Sequence, residues 1–79
     1  MDEKIKILLF GILAEKMEAG ELLFSFEKDT DNLLLKLKNT YPVLDELKFS
    51  LAVNKKLIFG NTPLNAHDEV ALLPPFSGG

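Results

Sequence analysis

Residues 68–79 read "DEVALLPPFSGG", and this stretch constrains everything before it. From Glu69 to Leu73 the side chains alternate, Val70 and Leu72 on one side, Ala71 and Leu73 on the other, which is the period of a strand. Pro74 and Pro75 carry no N–H, so strand pairing has to stop at Leu73, and their φ angles are held near −65°. From Pro74 the backbone is biased to an extended, polyproline-like path. Pro74, Pro75, Phe76, Ser77, Gly78 and Gly79 reach at most about 20 Å. Two glycines have no Cβ and can thread a slot that would stop any other residue. With glycine near 7% of residues, a chance Gly-Gly ending has a probability of about 0.5%. The expectation is a packed domain over residues 1–73 and an extended tail over 74–79, ending in the α-carboxylate of Gly79.

Working back from that strand, "KIKILLF" at residues 4–10 places Ile5, Ile7 and Leu9 on one face and Lys4, Lys6, Leu8 and Phe10 on the other, a second half-buried strand. Gly11 breaks it, "ILAEKME" favours a short helix, and Ala19-Gly20 is expected to end that helix through glycine. "ELLFSFE" puts Leu22, Phe24 and Phe26 on one face, an antiparallel partner for the first strand. Thr30 is expected to cap the main helix, with Asp31 in its first turn. Leu33, Leu34, Leu37 and Tyr41 recur at helical spacing, and Pro42 stops the run. "VLDELK" can add a further turn. "FSLAVN" points Phe49, Leu51 and Val53 inward, Asn54-Lys55 reads as a turn, and "KLIFG" is a short fourth strand. The order β-(short α)-β-α-β-β-β, with one helix crossing a mixed five-stranded sheet, is an α+β fold of the ubiquitin-like β-grasp type.

Composition narrows the partners. Nine lysines, no arginine and twelve acidic residues give a formal charge of −3, which disfavours nucleic acid, whose affinity comes largely from neutralised phosphates. No apolar run approaches the roughly 20 residues of a membrane span. "MDEKIKILLF" has acids where a secretory leader carries basic residues, and there are no cysteines for disulfides or thiolate metal sites. A cytoplasmic protein without a metal is expected.

Side chains suited to catalysis lack companions. His67, the sole histidine, has no nucleophile or metal partner and reads as a turn residue before the last strand. Ser77 has no assignable base. Lys55-Lys56 reads as a solvated turn, and the scattered acids lack metal-ligand spacing. Two features remain. In a β-grasp sheet the first and last strands are neighbours, so Leu8, Phe10, Ala71 and Leu73, all facing away from the helix, form one apolar patch beside the tail, a candidate docking surface. The second is the Gly79 carboxylate itself. Ionised and without a leaving group, it is inert at neutral pH. Joined to AMP as a mixed anhydride it becomes an acyl donor, and a sulfur nucleophile then leaves a thiocarboxylate.

On "IKILLFGILAE", "LAVN" at residues 51–54 and "PLNAHDEVALLPPFSGG", the sequence resembles the small subunit of molybdopterin synthase, a β-grasp sulfur carrier, over essentially its whole length. The resemblance implies that an adenylating, E1-like activating enzyme uses ATP to activate Gly79. A sulfurtransferase then supplies sulfur for a thiocarboxylate, and the tail enters the large subunit of the synthase. There the sulfur passes to a cyclic pyranopterin monophosphate to build the dithiolene of molybdopterin. It also implies a heterotetramer in which the large subunit carries the catalytic side chains, making this chain a sulfur donor with no bound cofactor. Relatives serving thiamine thiazole synthesis, and ubiquitin-like modifiers joined to lysines, share the Gly-Gly ending; a plain binding module is a third alternative. Ala14-Glu15 stands where the family often has Arg-Glu, and Ala66-His67 where it often has Asp-Gly. The second departure leads to the expectation that His67 adopts a left-handed conformation.

Overall fold

The structure is a computed structural model and describes residues 3–75. Five strands, β1 (Lys4–Leu9), β2 (Glu21–Ser25), β3 (Ser50–Val53), β4 (Lys56–Ile58) and β5 (Glu69–Leu73), form one sheet in the order β2-β1-β5-β3-β4. Only the β1–β5 pair is parallel, and the chain between those two strands carries the helix that covers the sheet. Helix α1 (Ile12–Met17) joins β1 to β2, helix α2 (Thr30–Thr40) follows β2, and a 3₁₀ turn spans Pro42–Glu46. This is the ubiquitin-like β-grasp arrangement.

The strand periodicity sets which side faces the helix. Ile5, Ile7, Leu9, Val70 and Leu72 are almost fully buried with Leu33 and Leu37 of α2 and Leu13 of α1. Burying each such side chain stabilises the fold by about 1.5–3 kcal/mol. Leu22, Phe24 and Phe26 pack against this core as expected, as do Leu34, Tyr41, Phe49 and Val53.

Three local expectations are corrected. The residue capping α2 is Asp29, not Thr30: its carboxylate accepts the Asn32 N–H at 3.0 Å. Thr30 is instead buried as the first helical residue, accepting the Thr62 N–H at 2.9 Å and donating to Asn61 Oδ1 at 3.3 Å. Its hydroxyl ties the helix start to a loop about thirty residues away rather than serving its own helix. Helix α1 ends through Glu18, at φ 58°, rather than through glycine. The left-handed step lets the Ala19 N–H reach the Ala14 carbonyl while Ala19 packs on the core. His67 is not left-handed. The Asp68 N–H donates to the Asn65 carbonyl at 3.0 Å and the Asp68 carboxylate accepts the Asn65 N–H at 2.8 Å. The turn thus closes with ordinary φ at its two central positions.

The β3–β4 hairpin has Asn54 and Lys55 as its two-residue loop, with φ 50° and 71°, the positive values that a type I′ turn requires. A lysine there carries about 1 kcal/mol of strain. Lys55→Gly is expected to stabilise the domain by about 1 kcal/mol, raising the melting temperature by about 4–8 °C in a thermal denaturation.

Candidate functional site

The cross-strand register builds the site. On the face of the sheet away from α2, Leu8 of β1 lies opposite Ala71 of β5, Ala71 opposite Ala52 of β3, and Ala52 opposite Leu57 of β4. Two alanines at the centre of a row flanked by leucines leave a depression. Phe10 and Leu73 continue it toward the end of β5. The result is an apolar hollow of about 280 Å³ lined by Leu8, Phe10, Ala52, Leu57, Ala71 and Leu73, with Lys55 and Glu69 also at its wall. All four residues that the alternation assigned to this face therefore come together. Among the described residues of the hollow, Phe10 is 45% and Leu57 42% exposed, while Leu8 and Leu73 are half-buried. Ala52 and Leu57 were missed. The inward placement of Leu51 and Val53 already implied that Ala52 faces outward, and the two-residue turn at 54–55 fixes Leu57 opposite it.

Position 54 also ties this wall together. The Asn54 side chain donates to Asp68 Oδ1 at 2.8 Å and accepts the Glu69 N–H at 3.0 Å, while its own N–H donates to the Glu69 carbonyl at 2.8 Å. The hairpin that presents Leu57 is thereby latched to the start of β5. The Asn65 N–H, then the Asn54 amide, then His67 hold the Asp68 carboxyl below its ordinary pKa. At the α2 cap, the Asn32 N–H and the Asn61 amide lower that of Asp29. Because both folded values lie below the unfolded ones, the stability these groups contribute is present above about pH 4 and is lost as pH falls through the lowered values. An Asp29→Asn/Asp68→Asn variant should melt lower than the parent at pH 7. The gap should narrow as melts are repeated below about pH 4.

Strand β5 ends at Leu73, as the prolines require. Pro74 is half-buried and Pro75 exposed. Pro74 comes against Gly11: an ideal Cβ on Gly11 would lie 3.0 Å from Pro74 Cγ. Gly11 itself has φ 59° and ψ −133°, and β1–β5 pairing continues to this turn through the Phe10 N–H and the Leu72 carbonyl at 3.3 Å. The hollow and the Gly11–Pro74 contact are therefore adjacent parts of one surface. Phe76, Ser77, Gly78 and Gly79 lie outside the described residues.

Other features carry less. His67 is exposed and its neighbour Asp68 serves the turn. Among the described residues no group of acids and histidine is placed to hold a metal, no buried side-chain polar atom lacks a partner, and no helix is long and apolar enough to cross a membrane. A second depression of about 300 Å³ lies between the start of α2 and β3–β4 and shares no residue with the first. Two of its polar side chains serve the start of α2: Thr30 accepts the Thr62 N–H, and Asn61 Oδ1 accepts the Asp31 N–H at 2.9 Å.

Known proteins share this architecture. A molybdopterin synthase sulfur carrier subunit from Dictyostelium discoideum is 36% identical in an alignment of 86 positions that spans 100% of both chains. Small archaeal modifier protein 1 from Methanosarcina acetivorans, solved in solution, superposes with a TM-score of 0.82 at 27% identity, covering 100% of this chain and 99% of the other. A chain from the complex of subunits 1 and 2 of the molybdopterin-converting factor of Helicobacter pylori superposes with a TM-score of 0.73, also at 27% identity, covering 96% and 99%. The family model described as ThiS matches residues 7–79, from the middle of β1 to the final glycine, and the chain belongs to the ThiS family.

Proposed function

We propose that this chain is the sulfur carrier subunit of a molybdopterin synthase. The observation that carries this reading is the full-length likeness to a sulfur carrier subunit; the apolar hollow at the root of the tail supports it. In the proposed cycle an adenylating enzyme docks on the hollow. The Gly79 carboxylate attacks the α-phosphate of ATP, and pyrophosphate leaves. A sulfide-equivalent nucleophile then attacks the acyl carbon, AMP leaves with the bonding pair, and a thiocarboxylate remains. Docked next on the large synthase subunit, the tail presents this sulfur to a cyclic pyranopterin monophosphate. Once the sulfur has displaced an oxygen substituent from a carbon of the acceptor, the C–S bond forming as that C–O bond breaks, water cleaves the acyl–sulfur bond and restores the carboxylate. The domain's own part is to dock, to orient and to keep the sulfur covalently held; ATP is consumed by the activating enzyme.

The likeness to a small archaeal modifier protein favours one second reading, in which the activated Gly79 is joined to lysines of other proteins. Complementation separates the readings. In a cell lacking its own molybdopterin sulfur carrier, the chain with its cognate large subunit is expected to restore molybdenum-enzyme activity. Failure in the presence of both partners, with lysine conjugates accumulating, would establish the modifier instead.

A further inference from the structure

Among the described residues, Gly11 of the domain body comes close to Pro74, the first residue after β5. We propose that Gly11 is a positioning residue that aims the tail, an inference that rests on the carrier reading.

Proline fixes its own φ through its ring, so a surface on which that ring rests also fixes the direction of the backbone beyond it. That surface is the α-carbon of Gly11. A Cβ there would meet Pro74 Cγ at 3.0 Å and Pro74 Cβ and Cδ at 3.7 Å, so any side chain at position 11 would press the ring to give by a few tenths of an ångström. The turn beneath is held from both sides, by the Phe10 N–H on the Leu72 carbonyl and by the Leu13 N–H on the Phe10 carbonyl at 3.1 Å. Pairing between strands cannot do this work past Leu73, because Pro74 has no N–H to offer. Phe10, the residue before Gly11, lines the hollow. One turn thus joins the docking surface to the point where the tail departs. A partner that grips the hollow receives Pro74 and Pro75 in a set direction. Aim matters here because a misplacement of about 1 Å can cost up to about a hundredfold in rate.

Gly11→Ala introduces two separable effects: strain from φ 59°, and collision with the Pro74 ring. Removing the ring with Pro74→Ala cures only the second. The experiment uses the full chain with its adenylating enzyme. It reads the single-turnover rate of Gly79 charging at saturating enzyme, the dissociation constant and the melting temperature. Gly11→Ala is expected to slow charging by about tenfold with affinity changed less than about twofold, and to melt lower. Pro74→Ala alone, with the resting surface intact but no rigid ring on it, should slow charging by about threefold. The double variant should charge at the Pro74→Ala rate, not at the product of the two losses, while keeping the lowered melting temperature of Gly11→Ala. A merely structural glycine would give no such recovery. Equal charging by parent and a folded Gly11→Ala, or a double variant as slow as the product, overturns the inference. If Gly11→Ala does not fold, Pro74→Ala decides alone: slower charging at unchanged affinity supports the aiming role, and an unchanged rate overturns it. A parent chain that takes no charge, beside a known carrier that does, overturns the carrier reading and this inference with it.

Discussion

Deletion of Gly79 is expected to reduce sulfur acceptance to background and leave the domain folded. The chemistry assigned to this chain is carried by one carboxylate, six residues along the chain from Leu73 at the border of the hollow. Shortening the tail by one residue withdraws that group by about 3.3 Å, well outside the spacing that a nucleophile and its target tolerate. The core, by contrast, is built from β1, β3, β5, the two helices, the 3₁₀ turn and Leu64, so the melting temperature should stay within about 1 °C of the parent's, as for a change remote from packing. Gly78→Ala tests the same feature more gently. Its methyl group leaves the carboxylate in reach but obstructs a narrow channel, and on the order of a tenfold loss in transfer is expected. A plain binding module would tolerate both changes.

The second large effect is expected in the hollow. Leu73→Asp sets a carboxylate at the edge of β5 where a partner has to exclude water. Aspartate is too short to reach back to solvent as lysine can, and an unpaired charge buried at an interface costs about 3–5 kcal/mol. Affinity for the large synthase subunit should fall by about a hundredfold or more. Leu23 makes the control. It is on the same face of the sheet, opposite Lys6, and is 65% exposed, but it does not line the hollow. Leu23→Asp should change affinity by less than about twofold. Equal losses in both variants would mean that the whole face, rather than the hollow, responds to charge.

The architecture was legible because its governing signals are local. The alternation of Ile5, Ile7 and Leu9, and of Val70 and Leu72, places the two central strands. Pro42 and the Asn54-Lys55 turn mark where elements stop. What could not be read depends on contacts between distant residues. Asp29 and Thr30 are both good caps, one position apart; which of them serves the helix is decided by Asn61 and Thr62, far along the chain. Glu18 is a poor left-handed residue by type, and it adopts that conformation because Ala19 is drawn back onto the core. The turn at His67 is closed by Asp68, whose role shows only when Asn54 is seen latching the same carboxylate. The hollow was half legible: the patch followed from alternation, but its concavity comes from Ala52 and Ala71 lying opposite each other, a matter of register. Gly11 reads in the sequence only as a break. Its closeness to Pro74 is visible in the fold alone.

The measurement that tests the account most directly is the mass of the C-terminal peptide after the chain has been incubated with its adenylating enzyme, ATP and a sulfur source. Met1 and Met17 make the intact mass ambiguous, because oxidation of methionine adds nearly the same increment as exchanging oxygen for sulfur. Cleavage after Lys56, the last lysine, releases Leu57–Gly79, which contains no methionine. This peptide is expected to gain the mass of an oxygen-to-sulfur exchange, localised to Gly79 and dependent on ATP. An unchanged peptide, with a known carrier charged in the same reaction, would contradict it.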